Sequence, residues 1–207
     1  MLGRAGPLPN SVGGLSMIEI GGRAYPFVRI GNQLWITENL DYQWTGLTVG
    51  ASGTSSSGQR ANYCDNDAAT YGVTGNKYGL LYNWIAVKYL EDNKATLLPS
   101  GWHVPTAAEW DVLATTVGGA NVAGTKLKST IDWSSDAGTD DYDFSALPTG
   151  YYYGVFGGLG SKANFWTATE SSSATADYRG FSTGAAMDSY TPNKADQYSI
   201  RLVKTIT

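Results

Sequence analysis

FWTATE at residues 165–170 and SIRLVK at residues 199–204 bracket the stretch of sequence that decides the fold. Both segments place apolar side chains at strand-like spacing, so we expect two anchored strands. Between them Ser, Ala, Thr, Asp, Gly and Tyr predominate, with no evident structural role. This predicts an exposed display surface, held by a scaffold that the rest of the chain builds.

Residues 181–190 alternate as a strand with one buried face does. The face expected to be buried carries Phe181, Ala185 and Met187, and the face expected to be free carries Ser182, Asp188 and Tyr190. The last strand, predicted over 198–204, alternates as well. We expect it to pair with an N-terminal hairpin, whose strands are predicted to begin near Met17 and to flank the turn at residues 21–22.

Two helices are predicted. The first covers residues 78–92, because Leu81, Trp84, Ile85 and Tyr89 recur at helical spacing. The second starts at Thr106, which can cap it while Glu109 completes a capping box. Its apolar stripe consists of Trp110, Leu113, Ala114 and Val117. We expect glycines 118–119 to end it.

The composition suits a single α+β domain. With 207 residues, 26 glycines, 13% aromatic and only 15% charged residues, the chain favours a loop-rich sheet domain over a helical bundle. A net charge of −4 without a basic run argues against nucleic-acid binding, and no apolar run reaches the ~20 residues of a membrane span. Residues 1–16 show no secretory signal. Their Gly, Pro, Asn and Ser content without periodicity predicts a flexible leader or a junction to something upstream, and we expect the folded domain over 17–207.

Candidate catalytic and metal-binding residues are few. The one histidine, His103, is expected to be a hydrogen-bonded structural residue, since no nucleophile or carboxylate partner is evident. The one cysteine, Cys64, excludes an intrachain disulfide and is expected to be an unreactive thiol. We expect no metal or other cofactor. The alternative is a calcium site in an acidic run, which also fits an ordinary turn: Asp136, Asp140, Asp141 and Asp143.

Most of the tryptophans are expected in the core, since they fall on a helical stripe or within the ordered motifs quoted below, which a resemblance assigns to the scaffold. These are Trp35, Trp84, Trp102, Trp110, Trp133 and Trp166. Trp44 is the one expected to be exposed, because it lies just before the Gly/Ser-rich residues 45–60. Glu170 and Arg201 are expected to be polar partners within the scaffold.

Eight short motifs follow one another along the chain. They are IGNQLW (30–35), ENL (38–40), GLLYNW (79–84), PSGWHVPT (99–106), EW (109–110), FSALP (144–148), FWTATE (165–170) and SIRLVK (199–204). In this order they resemble the Fibrobacter succinogenes major paralogous domain over about residues 18–204.

The resemblance implies an α+β, C-type-lectin-like fold related to that of formylglycine-generating enzymes, with two helices packed on twisted antiparallel β-sheets. It also implies kinship with variable proteins of Bacteroides phages, in which a diversity-generating retroelement rewrites a C-terminal segment, here about residues 150–195. Such proteins are phage-tail receptor-binding proteins or surface adhesins. The implied localisation is a virion tail or an extracellular surface, and the implied partner is a bacterial surface protein or glycan. Phage tail fibres are commonly trimeric, although no residue here specifies an oligomer.

The resemblance places the ligand-binding face among polar and small residues of the C-terminal segment. These are Tyr152, Asn164, Ser171, Ser172, Thr175, Asp177, Gly180, Ser182, Ala186, Asp188, Tyr190 and Thr191. Tyr, Ser and Asn are also the residue types that adaptable binding surfaces use. Composition alone fits a plain solvated sheet face as well.

Two alternatives stay open. One is a non-variable lectin or adhesion module on a bacterial cell surface. An imperfect repeat of the segment coding for 165–204, beside a reverse transcriptase gene, would favour the variable protein instead. The other is an enzyme of the formylglycine-generating kind. Those enzymes rely on cysteines and only Cys64 is present, so we expect no enzymatic activity.

Overall fold

A computed structural model describes residues 11–12, 15–50, 57–67 and 77–206. In these residues seven strands are followed by four α-helices and then by seven further strands. The strands are β1 (Ser11–Val12), β2 (Leu15–Ile20), β3 (Arg23–Ile30), β4 (Gln33–Ile36), β5 (Thr48–Val49), β6 (Arg60–Tyr63), β7 (Leu80–Asn83), β8 (Thr149–Tyr152), β9 (Phe156–Leu159), β10 (Ala163–Glu170), β11 (Ala176–Phe181), β12 (Met187–Tyr190), β13 (Gln197–Tyr198) and β14 (Val203–Thr205). The helices are α1 (Trp84–Asp92), α2 (Lys94–Leu97), α3 (Ala107–Thr116) and α4 (Ala120–Leu127). The prediction of an α+β fold is confirmed, although four helices replace the two expected.

The strands form two sheets. The first is antiparallel in the order β1-β2-β3-β4-β14. The C-terminal strand β14 joins the sheet of the predicted N-terminal hairpin, but it pairs with β4 and not with the hairpin strands β2 and β3. The second has the order β12-β11-β10-β8-β13-β7-β6-β5, with β9 paired to β8. This sheet is mixed, because β10 runs parallel to β8 and β5 parallel to β6. The prediction of antiparallel sheets is therefore confirmed for the first sheet and wrong for the second, in which β9 turns the chain back on β8 and β10 again has the direction of β8.

The strand predicted over 198–204 is in fact two strands in different sheets, β13 and β14, and Arg201 lies between them, fully buried. Its guanidinium donates hydrogen bonds of 2.7–2.9 Å to Asn39 Oδ1 and to the carbonyls of Ile36, Phe144 and Ser145. Burial lowers the pKa of Arg201 to about 9. The expected scaffold role of Arg201 is confirmed, because these four acceptors tie the two sheets to the loop before β8.

The capping box of the second predicted helix is present in α3. The Thr106 hydroxyl accepts from the Glu109 backbone N–H, and the Glu109 carboxylate accepts from the Thr106 N–H at 2.9 Å. All four residues of its predicted apolar stripe are buried. Two glycines with φ of 111° and 107°, Gly118 and Gly119, then end the helix as expected.

The first predicted helix is corrected at its start. Residues 80–83 form β7 and not helix, because all four are buried between β6 and β13. The Asn83 side chain then caps α1 by accepting from the Ala86 N–H at 3.0 Å. Helices α2 and α4 were not expected. Helix α4 has Gly124 at its centre, which weakens the helical pattern in the sequence.

The core contains all seven tryptophans, so the predicted exposure of Trp44 is wrong. Trp44 is only 5% exposed, stacks on Tyr82 with ring centroids 5.8 Å apart, and donates through its indole N–H to Gln59. The residues after it lie partly outside the described chain, since 51–56 are not described.

Strand structure begins earlier than predicted. Strand β2 starts at Leu15 and not near Met17, and it pairs with β1. Residues 1–10 and 13–14 of the predicted leader lie outside the described residues. Within the part of the chain that the structure describes, no helix has the length and apolarity needed to span a membrane.

Candidate binding face

Tyrosines from several strands of the nine-stranded sheet meet on one of its faces. The register places Tyr178 of β11 between Trp166 of β10 and Tyr190 of β12. Tyr198 of β13 packs edge-on against Trp166, with centroids 4.8 Å apart, and Tyr178 lies 5.0 Å from Tyr198. Tyr190 then lies 5.5 Å from Tyr178 and is 57% exposed. These rings form a first stack that runs from a buried tryptophan to an exposed tyrosine.

A second stack starts on β8. The rings of Tyr151 and Tyr153 are 4.6 Å apart and nearly parallel, and their hydroxyls are 3.2 Å apart. Tyr151 lies against two glycines: a Cβ on Gly157 or Gly158 would come within 2.9 Å of its side-chain atoms. Tyr153 is 50% exposed, so the ring face turned away from Tyr151 is open to solvent.

The two stacks adjoin, and together with one row of the sheet they define what we call the tyrosine face. Its members are Tyr151, Tyr153, Tyr178, Tyr190 and Tyr198, with the paired row Asn164, Gly180 and Asp188. Because side chains alternate along a strand, this row lies on the same side as the row that contains Tyr178. Asp188 is half-buried in the row.

Two phenols of this face, those of Tyr178 and Tyr198, have a raised pKa and are neutral at pH 7. Burial is the main cause that raises the pKa of Tyr178, and Tyr190 and Asp188 add to it. Burial also raises the pKa of Tyr198, with a further contribution from Asp196. The hydroxyls therefore remain protonated and available as hydrogen-bond donors.

Three residues of the predicted face are buried, which corrects their expected exposure. Tyr152 is 5% exposed and packs on Phe156, because its side chain points to the side of β8 opposite Tyr151. Asn164 is also 5% exposed, and Gly180 is buried. The Tyr178 ring lies against Gly180, where a Cβ would come within 2.8 Å of it. Asn164 and Gly180 thus form the floor of the tyrosine face.

Four other predicted residues lie in and beside the β10–β11 turn, residues 171–175, where they hydrogen-bond one another. The Ser172 and Thr175 hydroxyls are 2.8 Å apart, and the Ser171 hydroxyl donates to Asp177. Asp177 precedes Tyr178 in β11, so its side chain points to the other face of the sheet. The structure therefore does not place this turn cluster on the tyrosine face.

The buried side chain of Lys194 stabilises the β10–β11 turn through a hydrogen bond and an ion pair. Its side chain is 8% exposed, and its ammonium donates to the Ser173 carbonyl at 2.9 Å and pairs with Glu170. The ammonium lies 4.8 Å from the centroid of the Trp84 ring. The expected scaffold role of Glu170 is thus confirmed by its pairing with a buried lysine.

Lys128 supports the β11–β12 turn, residues 182–186, in the same way. It is 1% exposed and donates to the carbonyls of Ser182 at 3.1 Å and Gly184 at 2.9 Å. The third acceptor is the carbonyl of Asp136, and the ammonium lies 4.8 Å from the Trp133 ring centroid. This buried ammonium joins the turn to the acidic run.

Helix α4 packs directly beneath the same turn. A Cβ on Gly124 would lie 2.5 Å from the Ala186 carbonyl oxygen, and the Thr125 N–H donates to the Ala185 carbonyl at 3.1 Å. Ala185 is exposed, so its predicted place in the core is wrong: the chain leaves the strand after Phe181 and the alternation resumes only at Met187.

The remaining predicted residues line the edge of the sheet. Ser182 and Ala186 are half-buried in the β11–β12 turn, and the Ser182 hydroxyl lies 3.4 Å from the Asp188 carboxylate. Tyr190 and Thr191 are exposed. The three residues that were expected on one face therefore lie along the same edge of the sheet, which β12 forms: Ser182, Asp188 and Tyr190.

The residues considered for catalysis or metal binding are engaged in structural contacts. Both ring nitrogens of His103 are hydrogen-bonded, Nε2 to Glu109 at 2.7 Å and Nδ1 to the Gly101 carbonyl at 3.1 Å. The expected hydrogen-bonded histidine is thus present, but its carboxylate partner, Glu109, was not expected. Cys64 is fully buried, its thiol lies 3.0 Å from the Thr149 carbonyl oxygen, and burial raises its pKa. In the acidic run, Asp140 accepts from the backbone and hydroxyl of Ser145. Within the described ranges, no cluster of three or more His, Cys, Asp or Glu side chains is arranged to hold a metal ion.

Sequence reasoning missed Tyr151, Tyr153, Tyr178 and Tyr198 as members of the face. For Tyr151 and Tyr153 a signal existed, because in a run of three tyrosines the outer two share a side of the strand and Tyr152 takes the other. Which side is outward depends on the neighbouring strands. Tyr198 carried no such signal, since it precedes the motif that crosses between the sheets.

The comparisons with known proteins agree with the ordered motifs. No curated protein and no solved structure matches the chain significantly. A family model described as the Fibrobacter succinogenes major domain matches residues 28–204, which is most of the chain. The chain therefore belongs to the Fibrobacter succinogenes major domain family.

Proposed function

We propose that this chain is a ligand-binding display protein whose C-terminal face is diversified by a retroelement. The observation that carries the proposal is the support of both exposed turns by buried lysines. Lys128 and Lys194 bond to main-chain carbonyls in the turns, at Ser182, Gly184 and Ser173. Every residue type presents the same carbonyl, so these contacts persist when the side chains of the turns change.

The same arrangement separates the surface from the core. Phe181 and Met187 are buried beneath the face, whereas Tyr190 and Thr191 beside them are exposed. Substitutions at the exposed positions leave the packed layer untouched, and surface changes of this kind usually alter stability by less than ~0.5 kcal/mol. A scaffold of this kind can present many different surfaces.

The finer parts of the proposal follow from the resemblance of the motifs. The fold is proposed to be C-type-lectin-like, and the protein to act on a phage tail or another extracellular surface. Its partner is a bacterial surface protein or glycan, and its function is recognition without enzymatic activity or a cofactor. Two observations support a non-catalytic role: the Cys64 thiol is buried, and both ring nitrogens of His103 are already engaged in hydrogen bonds.

A block substitution of the exposed Tyr190 and Thr191 together with the half-buried Ser182 and Asp188 tests the proposal. The variant Ser182→Tyr, Asp188→Asn, Tyr190→Ser and Thr191→Ala is compared with wild type for binding to intact cells of a panel of Bacteroides strains. We expect the pattern of bound strains to change while Tm falls by less than about 4 °C. Phe181→Ala, within the same segment, is the control for core damage, and we expect it to lower stability by ~3–5 kcal/mol. An unchanged strain pattern together with a large loss of stability in the block variant would contradict display.

A non-variable adhesion module on a bacterial cell is the second candidate. It is favoured by the burial of Tyr152, Asn164 and Gly180, since buried positions tolerate rewriting poorly. Sequencing the flanking DNA separates the two. A near-copy of the segment coding for 165–204 next to a reverse transcriptase gene supports diversification, and its absence supports the fixed module.

A further inference from the structure

Both aromatic stacks of the tyrosine face end in an exposed ring. Tyr153 rests on Tyr151, and Tyr151 rests on the main chain at Gly157 and Gly158. Tyr190 rests on Tyr178 at the other side of the face. Because each outer ring is supported from behind, it loses little further side-chain freedom when a ligand covers it.

The polar groups near these rings suit hydroxyl-bearing ligands. The half-buried Asp188 carboxylate lies on the same face as Tyr190 and accepts hydrogen bonds. Tyrosine hydroxyls can donate as well as accept hydrogen bonds. The defining members of the face are Tyr, Asn, Gly and Asp, so aromatic rings and polar groups predominate, with the exposed Val155 close to Tyr153. A protein partner would instead be expected to rely on apolar anchors that fill pockets.

The charge of the face selects further among ligands. The Lys162 side chain lies against Gly158 beside Tyr151, whereas the part of the face around Tyr178 and Tyr198 has Asp188 and Asp196 close by. The chain as a whole carries a net charge of −4. A ligand with carboxylate or sulfate groups would meet like charge here, whereas a neutral one would not.

We propose that the tyrosine face binds a neutral glycan, whose pyranose rings lie flat on Tyr153 and Tyr190 while hydroxyl groups donate to Asp188. A pyranose has one side lined by C–H groups, which packs on an aromatic ring, and a rim of hydroxyls. The two exposed rings provide two such contacts on a rigid surface. This inference rests on the proposed display function and names the chemical class of its ligand.

The test uses the full chain and an array of neutral hexose and N-acetylhexosamine oligosaccharides, with sialylated and sulfated versions of the same glycans beside them. We expect binding to neutral members. Tyr153→Ala and Tyr190→Ala should each weaken it about tenfold, whereas Tyr153→Phe and Tyr190→Phe, which keep the rings, should stay within about threefold. Val155→Ala is the matched control, because Val155 is 63% exposed close to Tyr153 but outside the tyrosine face. Equal binding by wild type and both alanine variants, or binding to charged glycans alone, would overturn the inference.

Cells distinguish this inference from the proposed function. Intact Bacteroides cells are treated with periodate, which cleaves sugar diols, or with protease, before the protein is added. Loss of binding after periodate and retention after protease supports a glycan ligand. Retention after periodate and loss after protease refutes it while leaving the display function standing. Absence of binding both to the array and to every strain would count against both proposals.

Discussion

Replacing Lys128 by methionine removes one buried ammonium while keeping a side chain of similar length. In the wild type this group donates to three carbonyls, those of Asp136, Ser182 and Gly184, and its side chain is 1% exposed. A hydrogen bond to a charged group contributes ~1.5–3 kcal/mol. Part of this gain is offset by the desolvation of the ammonium, which also lowers the pKa of Lys128.

We expect a net loss of ~2–3 kcal/mol in the free energy of unfolding. Three favourable bonds exceed the desolvation cost, and the carbonyls of the exposed turn regain water when the ammonium is gone. For a chain of this size 1 kcal/mol corresponds to about 2–4 °C, so Tm should fall by roughly 4–12 °C. The loss should be accompanied by greater mobility of the β11–β12 turn, because Lys128 is its contact with the acidic run.

Differential scanning calorimetry measures the first effect, and amide hydrogen exchange measures the second. The Thr125 amide, which donates to the Ala185 carbonyl in the turn, is the reporter. Lys126→Met, two residues away on α4 and only half-buried, is the matched control and should change stability by less than ~0.5 kcal/mol. If Lys128→Met leaves both Tm and the Thr125 exchange rate at their wild-type values, the turn is not held by this lysine and the reasoning fails.

Three further predictions concern the scaffold. Burial opposes ionisation of Glu109, yet hydrogen bonds from His103 and Thr106 outweigh it and lower the Glu109 pKa to about 2, so this stabilisation is present above pH ~4.5 and is lost as the pH falls towards 2. The hydrogen bond to Glu109 raises the pKa of His103, so the stabilisation by His103 is complete below the pKa of the unfolded state and is lost as the pH rises through the pKa of the folded state. Thermal melts at a series of pH values should show both dependences of stability on pH, and Glu109→Gln should flatten them. Gly124→Ala should lower the free energy of unfolding by ~2 kcal/mol although alanine has the better helix propensity, because the new methyl group would lie 2.5 Å from the Ala186 carbonyl oxygen. Chemical denaturation measures this loss, and a variant more stable than wild type would disprove the packing. The Cys64 thiol, buried and with a raised pKa, should react with a thiol reagent at pH 8 only after unfolding, and rapid labelling of the native protein would contradict its burial.

The sequence by itself determined the elements whose signals are local. Thr106 and Glu109 are three residues apart, so their capping box could be recognised from one turn of helix. The fold class and the burial of six of the seven tryptophans were equally readable, because apolar periodicity and turn residues carry them. The ordered motifs were specific enough to indicate the family.

Only the tertiary structure decided which side chains face outward and what holds the surface in place. A shift of one residue exchanges the two faces of a strand, so Tyr152 was expected outside where Tyr151 and Tyr153 lie. The choice depends on which strands pair with β8, and these come from sequence positions far away. Lys128 finds its acceptors 54 and 56 residues further on. Those acceptors are main-chain carbonyls, which every residue carries, and so no pattern in the sequence could mark them.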